Sequence, residues 1–219
     1  PAQTSGSGAM TSRITPQDVL GVILAGGQGR RMGGDGDKPL TPLGNGTLLS
    51  SVLDRATPQC GPMIINANSD PARYASYGLP VVPDRVEGFV GPLAGVLTAM
   101  DWAAMKAPSC RYVMSFAGDA PFIPRDLVSR LTAAVDAGAE LARARSFGQR
   151  HPVFGLWPVK LRAELRDQLV NQGIRKIDLF TADYRVEEVD FDGVPDPFFN
   201  VNTPEDRDEA ERILQADKG

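Results

Sequence analysis

Short apolar runs that alternate with helical patterns predict a three-layer α/β fold with a mainly parallel sheet. Two further observations support it. The runs at 19–23, 62–65 and 112–117 read as buried strands. Polar, turn-rich loops follow these runs at 25–38, 66–68, 83–84 and 118–121. In such sheets ligands bind outside the carboxyl ends of strands, at a switch in strand order.

The elements follow in order. Val19-Leu20-Gly21-Val22-Ile23 is the first strand. Thr47 caps a helix whose apolar positions Leu48, Leu49, Val52, Leu53 and Ala56 have helical spacing. Pro62–Ile65 is the second strand, and Leu79–Val82 is a weaker one. Gly91-Pro92 opens a helix with proline at its first position, striped by Leu93, Val96, Leu97, Met100 and Ala104. Tyr112–Ala117 reads as a central strand. Pro124 starts the next helix, which Gly138 stops. Strands follow at 141–144 and 152–157, then helices at about 158–171 and 173–182. Residues 185–189 alternate like an outer strand, and Thr203 caps a last helix with Pro204, Glu205 and Asp206 in its first turn.

The chain has 219 residues, enough for one α/β domain. Residues 1–17, with Ser5-Gly6-Ser7-Gly8, read as a flexible tag or linker remnant, which leaves 18–219 as the domain. Its 42% hydrophobic and 23% charged residues are those of an ordinary globular protein. A net charge of −4 argues against broad nucleic-acid or anionic-membrane binding, so an anionic ligand needs a local positive cluster. No run of 18 apolar residues occurs. Cys60 and Cys110 form no C-x-x-C, which suits a reducing cytoplasm and gives no zinc framework. The single histidine, His151, excludes a multi-histidine metal site.

The segment Leu24-Ala25-Gly26-Gly27-Gln28-Gly29-Arg30-Arg31-Met32-Gly33 leaves the first strand. Glycine lets the backbone pass close to a ligand, and successive N–H groups form a concavity for phosphate oxygens. Arg30, Arg31 and Lys38 bring positive charge to it. Met32 sits where a dinucleotide fingerprint needs its third glycine, and Gly36-Asp37-Lys38-Pro39 lacks a P-loop ending. Asp119, at a strand end, is either a turn residue or a natural Mg²⁺ ligand. Lys38 is either a solvated surface lysine or a group that neutralises a leaving pyrophosphate. Asn66, Asn68 and Asp84 close turns or hold a base or ribose. Asn200 and Asn202 share a face in an extended segment, where two amides can grip a pterin or a phosphate. His151 reads as structural or as lining an acceptor pocket.

Taken together, these motifs resemble the molybdenum cofactor guanylyltransferases. They are Leu24-Ala25-Gly26-Gly27-x-Gly29-Arg30-Arg31-Met32-Gly33 with Asp37-Lys38, Gly91-Pro92-Leu93-Ala94-Gly95, Asp119-x-Pro121, His151-Pro152-Val153 and Asn200-x-Asn202-Thr203-Pro204-Glu205. They come in the family's order and span about 20 to 215. The resemblance implies a Rossmann-like sheet of the nucleotide-diphospho-sugar transferase type. It implies transfer of GMP from GTP to molybdopterin bearing molybdenum, with Mg²⁺ required and pyrophosphate released. Leu24, Ala25, Gly26 and Gly27 would contact the nucleotide, Lys38 its phosphates, and Asn66 and Asp84 would complete the GTP site. Asp119 would bind nucleotide and Mg²⁺, with Arg31, Asn200 and Asn202 toward the pterin. Lys38, Asp119 and Arg31 would carry catalysis, by positioning and charge neutralisation. A cytoplasmic enzyme, monomeric or weakly oligomeric, that hands its product to molybdoenzymes or their chaperones completes the expectation.

Two features depart from the family pattern. The segment 33–38 is one residue longer than usual, which bears on the reach of Lys38, and Pro39 stiffens its exit. The rival reading is a cytidylyltransferase of the same fold. Those relatives carry Ala-Ala-Gly where this chain has Ala25-Gly26-Gly27, and the molybdopterin ones carry Asp where it has Asn200 and Asn202. A non-catalytic nucleotide-binding domain would have lost Lys38 or Asp119, and both are present.

Overall fold

A computed structural model describes residues 13–26, 37–86, 88 and 91–216. Strand β1 (Val19–Leu24) is buried along almost its whole length. A two-strand hairpin, β2 (Pro42–Leu43) and β3 (Gly46–Thr47), leads into α1 (Leu48–Ala56). Next come β4 (Met63–Asn66), β5 (Val81–Val82), α2 (Pro92–Lys106) and β6 (Tyr112–Ala117). After α3 (Leu127–Asp136) come β7 (Leu141–Ser146) and β8 (Gln149–Pro158). The chain continues through α4 (Arg162–Val170), α5 (Ile177–Phe180), β9 (Val186–Asp190) and α6 (Pro204–Ala216).

The main sheet has seven strands in the order β5-β4-β1-β6-β8-β7-β9. β1 lies between β4 and β6, parallel to both, with Leu24 level with Asn66 and with Ala117. The strand order reverses here, so the carboxyl ends of β1, β4 and β6 form the crevice where such sheets bind ligands. β8 runs antiparallel to both β6 and β7, so its first residues return to that same edge.

Each face of the sheet is covered by apolar residues at helical spacing. On one face Leu49, Val52, Leu53 and Ala56 of α1 join Leu127, Val128 and Leu131 of α3. On the other, Leu93, Val96, Leu97 and Met100 of α2 pack with Leu165 and Leu169 of α4 and Ile177 and Phe180 of α5. A smaller cluster of Leu43, Leu48, Phe122, Val201 and Ala210 seats α6 beside the carboxyl-end rim. No helix among the described residues is long and apolar enough to cross a membrane.

The local signals hold well at most ends. The Thr47 hydroxyl accepts from the Ser50 N–H at 3.1 Å, and the Ser50 hydroxyl accepts from the Thr47 N–H at 2.8 Å. Three boundaries need correction. Pro124 lies in the turn before α3, which begins at Leu127. The helix expected from 158 starts as a 3₁₀ turn at Val159–Leu161 and becomes α-helical at Arg162. The helix expected over 173–182 is only Ile177–Phe180, because Gly173 takes φ +69° and Lys176 is extended. The β2–β3 hairpin and the antiparallel β8 were not foreseen, since both depend on pairing rather than on a local period.

Gly95 lets α2 lie close to the sheet. A Cβ there would stand 2.4 Å from Asn66 Oδ1 and 2.6 Å from Leu24 Cδ2. Gly95→Ala is therefore expected to destabilise the fold by about 1–3 kcal/mol, read as a lower urea midpoint. At the opposite end of β1, the Arg111 Nε donates to Asp18 Oδ1 at 3.1 Å, and the Thr15 N–H and hydroxyl donate to Oδ2 at 2.8 and 2.7 Å. Against the opposing effect of burial, Arg111 and then Thr15 hold the Asp18 carboxyl down at about 2. A depressed folded pKa means stability that is present above the unfolded value of about 3.9 and lost as pH falls through about 2. Asp18→Asn should cost about 1–2 kcal/mol at pH 7, a difference that fades between pH 4 and pH 2 in urea denaturation.

Candidate active site

Three strand ends stay in register beyond their last paired residues. The Ala25 N–H donates to Asn66 O at 2.9 Å, the Gly118 N–H to Leu24 O at 3.2 Å, and the Ala67 N–H to Val82 O at 3.3 Å. Ala25 is buried and Gly26 exposed, so the chain emerges at Gly26 onto the rim. Gly27 and Arg31, both expected in the site, lie outside the described residues.

One side of the rim is a bracket of amides around a carboxylate. Asn66, buried at the end of β4, donates through Nδ2 to Val82 O at 3.1 Å and to Asp84 Oδ1 at 2.9 Å. Asn68 donates to Asp84 Oδ2 at 2.9 Å and accepts from the Asp84 N–H at 2.7 Å. These bonds satisfy the polar groups that the strand ends would otherwise leave unpaired. They also hold the Asp84 carboxylate in one orientation.

The other side is a junction at Lys38. Its ammonium donates to Asp119 Oδ2 and to Asn202 Oδ1. The lysine and the aspartate are 15% and 22% exposed at their side chains, which places the pair at the mouth of the crevice rather than in the core. Backbone packing aims the lysine. Pro39 lies against Gly118, where a Cβ would be 2.9 Å from Pro39 Cγ. Leu40 and Thr41 N–H groups close a 3₁₀ turn onto Asp37 O and Lys38 O at 2.9 and 3.0 Å. The side chain of Asp37 turns away from the lysine and accepts from the Ser69 hydroxyl at 2.6 Å, with Arg73 Nη1 at 3.3 Å.

The segment 196–206 forms the third wall. The Val201 N–H donates to Asp119 O at 2.9 Å while its side chain is buried, which leaves Asn200 and Asn202 exposed on one side. Asp206 holds this turn by accepting from the N–H groups of Asn202 and Thr203 at 2.8 and 2.9 Å, and its own N–H donates to the Thr203 hydroxyl at 3.1 Å. Burial alone would raise the Asp206 carboxyl, but these donors outweigh it and lower it. Further along the rim, the Ser146 hydroxyl donates to Asp196 Oδ1 at 2.9 Å. With that proton committed, the neutral His151 ring donates its Nε2–H to Ser146 Oγ, 2.6 Å away. Burial lowers the His151 pKa against the pull of Asp196, so the ring is neutral at pH 7. His151 also packs on Phe198 at 4.6 Å between ring centroids. It serves the wall as a support.

The structure thus brings Lys38, Asp119 and Asn202 into direct contact and sets Asn66 and Asp84 as a separate pair on the same rim. Asp37 was marked only as the neighbour of Lys38, and Ser69, Arg73, Ser146 and Asp196 were missed as supports, since their partners lie far away in sequence or in another turn. Cys60 and Cys110 are free and buried, and burial pushes both thiols up, so neither is a nucleophile. Among the described residues no three acidic, histidine or cysteine side chains cluster as a metal cage. A lone Asp119 at a strand end fits a cation such as Mg²⁺, which keeps waters and takes substrate phosphates as its other ligands.

The MobA-like NTP transferase domain family matches residues 21–184. A molybdenum cofactor guanylyltransferase of Bradyrhizobium sp. is 56% identical over 206 residues, covering 93% of this chain and 96% of that protein. One from Nitrobacter hamburgensis is 53% identical over 212 residues, covering 96% and 100%. The crystal structure of molybdopterin-guanine dinucleotide biosynthesis protein A from Archaeoglobus fulgidus shares the fold with a TM-score of 0.71 at 24% identity, over 90% of this chain and 99% of that one. These relatives match almost the whole chain, which belongs to the molybdenum cofactor guanylyltransferases of the MobA-like NTP transferase family.

Proposed function

We propose that the protein transfers GMP from GTP to the terminal phosphate of molybdopterin carrying molybdenum, releasing pyrophosphate. The observation that carries this reading is the Lys38–Asp119–Asn202 junction at the carboxyl ends of β1 and β6, in a chain whose relatives are guanylyltransferases. The cytidylyltransferase alternative has less support, because the relatives at 41–56% identity are all named for guanylyl transfer.

In this reading the acceptor phosphate oxygen attacks the α-phosphorus of GTP. A P–O bond forms as the bond to the β-phosphate bridge breaks in line, and no electrons are exchanged. Both partners are anionic and the protein has a net charge of −4, so positive charge must be local. Asp119 would hold Mg²⁺, which supplies charge neutralisation of the triphosphate when bound. The Lys38 ammonium sits beside that carboxylate and stabilises charge on the departing pyrophosphate. Asn66 and Asp84 hold the base and ribose, the backbone at Leu24, Ala25 and Gly26 lines the nucleotide, and Gly27, outside the described residues, is assigned to the same role. Asn200 and Asn202 face the acceptor, and Arg31, outside the described residues, is assigned to it. No side-chain nucleophile is needed, because alignment and charge supply the acceleration.

Calorimetric titration of GTP, CTP and ATP, each with and without Mg²⁺, tests the base assignment. GTP is expected to bind at least about tenfold more tightly than CTP or ATP, the worth of one well-placed hydrogen bond. A CTP preference would move the protein to the cytidylyl branch. Asp119→Ala should lower Mg²⁺-dependent transfer by about 10³-fold with the thermal transition retained. Lys38→Ala should lower kcat/KM by about 10²-fold. Wild-type turnover in either variant would remove that residue from the mechanism.

A further inference from the structure

Asp37 follows the Gly/Arg-rich segment directly and precedes the lysine, yet its carboxylate points at a different loop. Its side chain is 17% exposed and takes the Ser69 hydroxyl at 2.6 Å and Arg73 at 3.3 Å. Ser69 is adjacent to Asn68, which exchanges two hydrogen bonds with Asp84, while Asn66 at the same strand end donates to the other Asp84 oxygen. The loop 66–70 is therefore tied at one end to Asp84 and at the other to Asp37. On the far side of the lysine, Pro39 rests on Gly118, the residue before Asp119. Lys38 is thus held between two anchors, one on the base-side loop and one on the β6 end.

A lysine needs such anchors. Its four-carbon stem loses rotamer entropy when its ammonium is fixed. Fixing the backbone on both sides narrows the volume the ammonium can sample. We propose that Asp37 is a positioning residue that, through Ser69 and Arg73, couples the phosphate-side Lys38 to the base-side loop 66–70, so that both halves of the nucleotide site are set as one unit. This rests on the reading of Lys38 as the phosphate-side cation.

The test is a mutant cycle read by calorimetry, with Mg²⁺·GTP and with Mg²⁺·tripolyphosphate, which offers the phosphates without a base. Asp37→Ala should weaken both ligands about tenfold. Asp37→Asn should recover most of this loss, because its amide oxygen still accepts from Ser69. In a Lys38→Ala background, Asp37→Ala should change tripolyphosphate affinity by less than about twofold, since the phosphate-side group being positioned is gone. Equal losses in the two backgrounds would overturn the coupling and leave the Lys38 assignment standing. Tripolyphosphate binding unchanged by Lys38→Ala would instead sink that assignment, and the proposal with it. If Asp37→Ala lacks a cooperative thermal transition, Ser69→Ala runs the same cycle from the loop side, with the same expected loss and the same overturning result.

Discussion

One ammonium joins three distant parts of this chain. Lys38 donates to Asp119, 81 residues away, and to Asn202, 164 residues away. Each partner comes from a different structural context: the 3₁₀ turn after the glycine-rich segment, the end of a central strand, and the turn before the last helix. The junction is possible only because β1 and β6 are parallel neighbours and end level with each other. Pro39 against Gly118 and the Asp206 turn place two of these groups.

The junction itself is a poor source of stability. Both charges are partly solvated, and such a pair contributes little once side-chain entropy and screening are counted. Stability comes from the apolar layers on the two sheet faces, where β1 residues Leu20, Val22 and Ile23 are fully buried. The division of labour is clear in Gly95. It permits close packing of α2 on the sheet and at the same time leaves room for Leu24 and Asn66 at the carboxyl ends of β1 and β4. The site therefore inherits its precision from a rigid core while remaining electrostatically adjustable.

The rim is built as linked polar pairs. Asn66 and Asn68 clamp Asp84, Ser69 and Arg73 clamp Asp37, and Asp206 clamps the turn that carries Asn202. Each carboxylate in these clamps is met by donors from the protein, which keeps the anions in place without an excess of positive charge. The same pattern continues to Asp196, Ser146 and His151, where the imidazole ring packed on Phe198 supports the third wall.

Local chemistry was legible in the sequence where a short-range rule applied. The buried runs gave β1, β4 and β6 within a residue or two, Thr47 and Thr203 capped the helices they were expected to cap, and Gly138 ended α3. The motifs placed Asn66, Asp84 and Asp119 at strand ends, Lys38 at the end of the glycine-rich segment, and the two asparagines before the last helix, because turn chemistry and polarity are written in consecutive residues. Strand order, the antiparallel return of β8 and the β2–β3 hairpin were not legible, since pairing partners lie far apart in sequence or depend on a two-residue strand with no period to read. Nor could spacing show that Lys38 reaches Asn202, or that Asp37 turns to Ser69. By itself the sequence determined which elements form and which polar residues end them, through burial and capping over a few residues. Only the tertiary structure decided which of those ends meet, because contacts across 81 and 164 residues exist only once the sheet has chosen its neighbours.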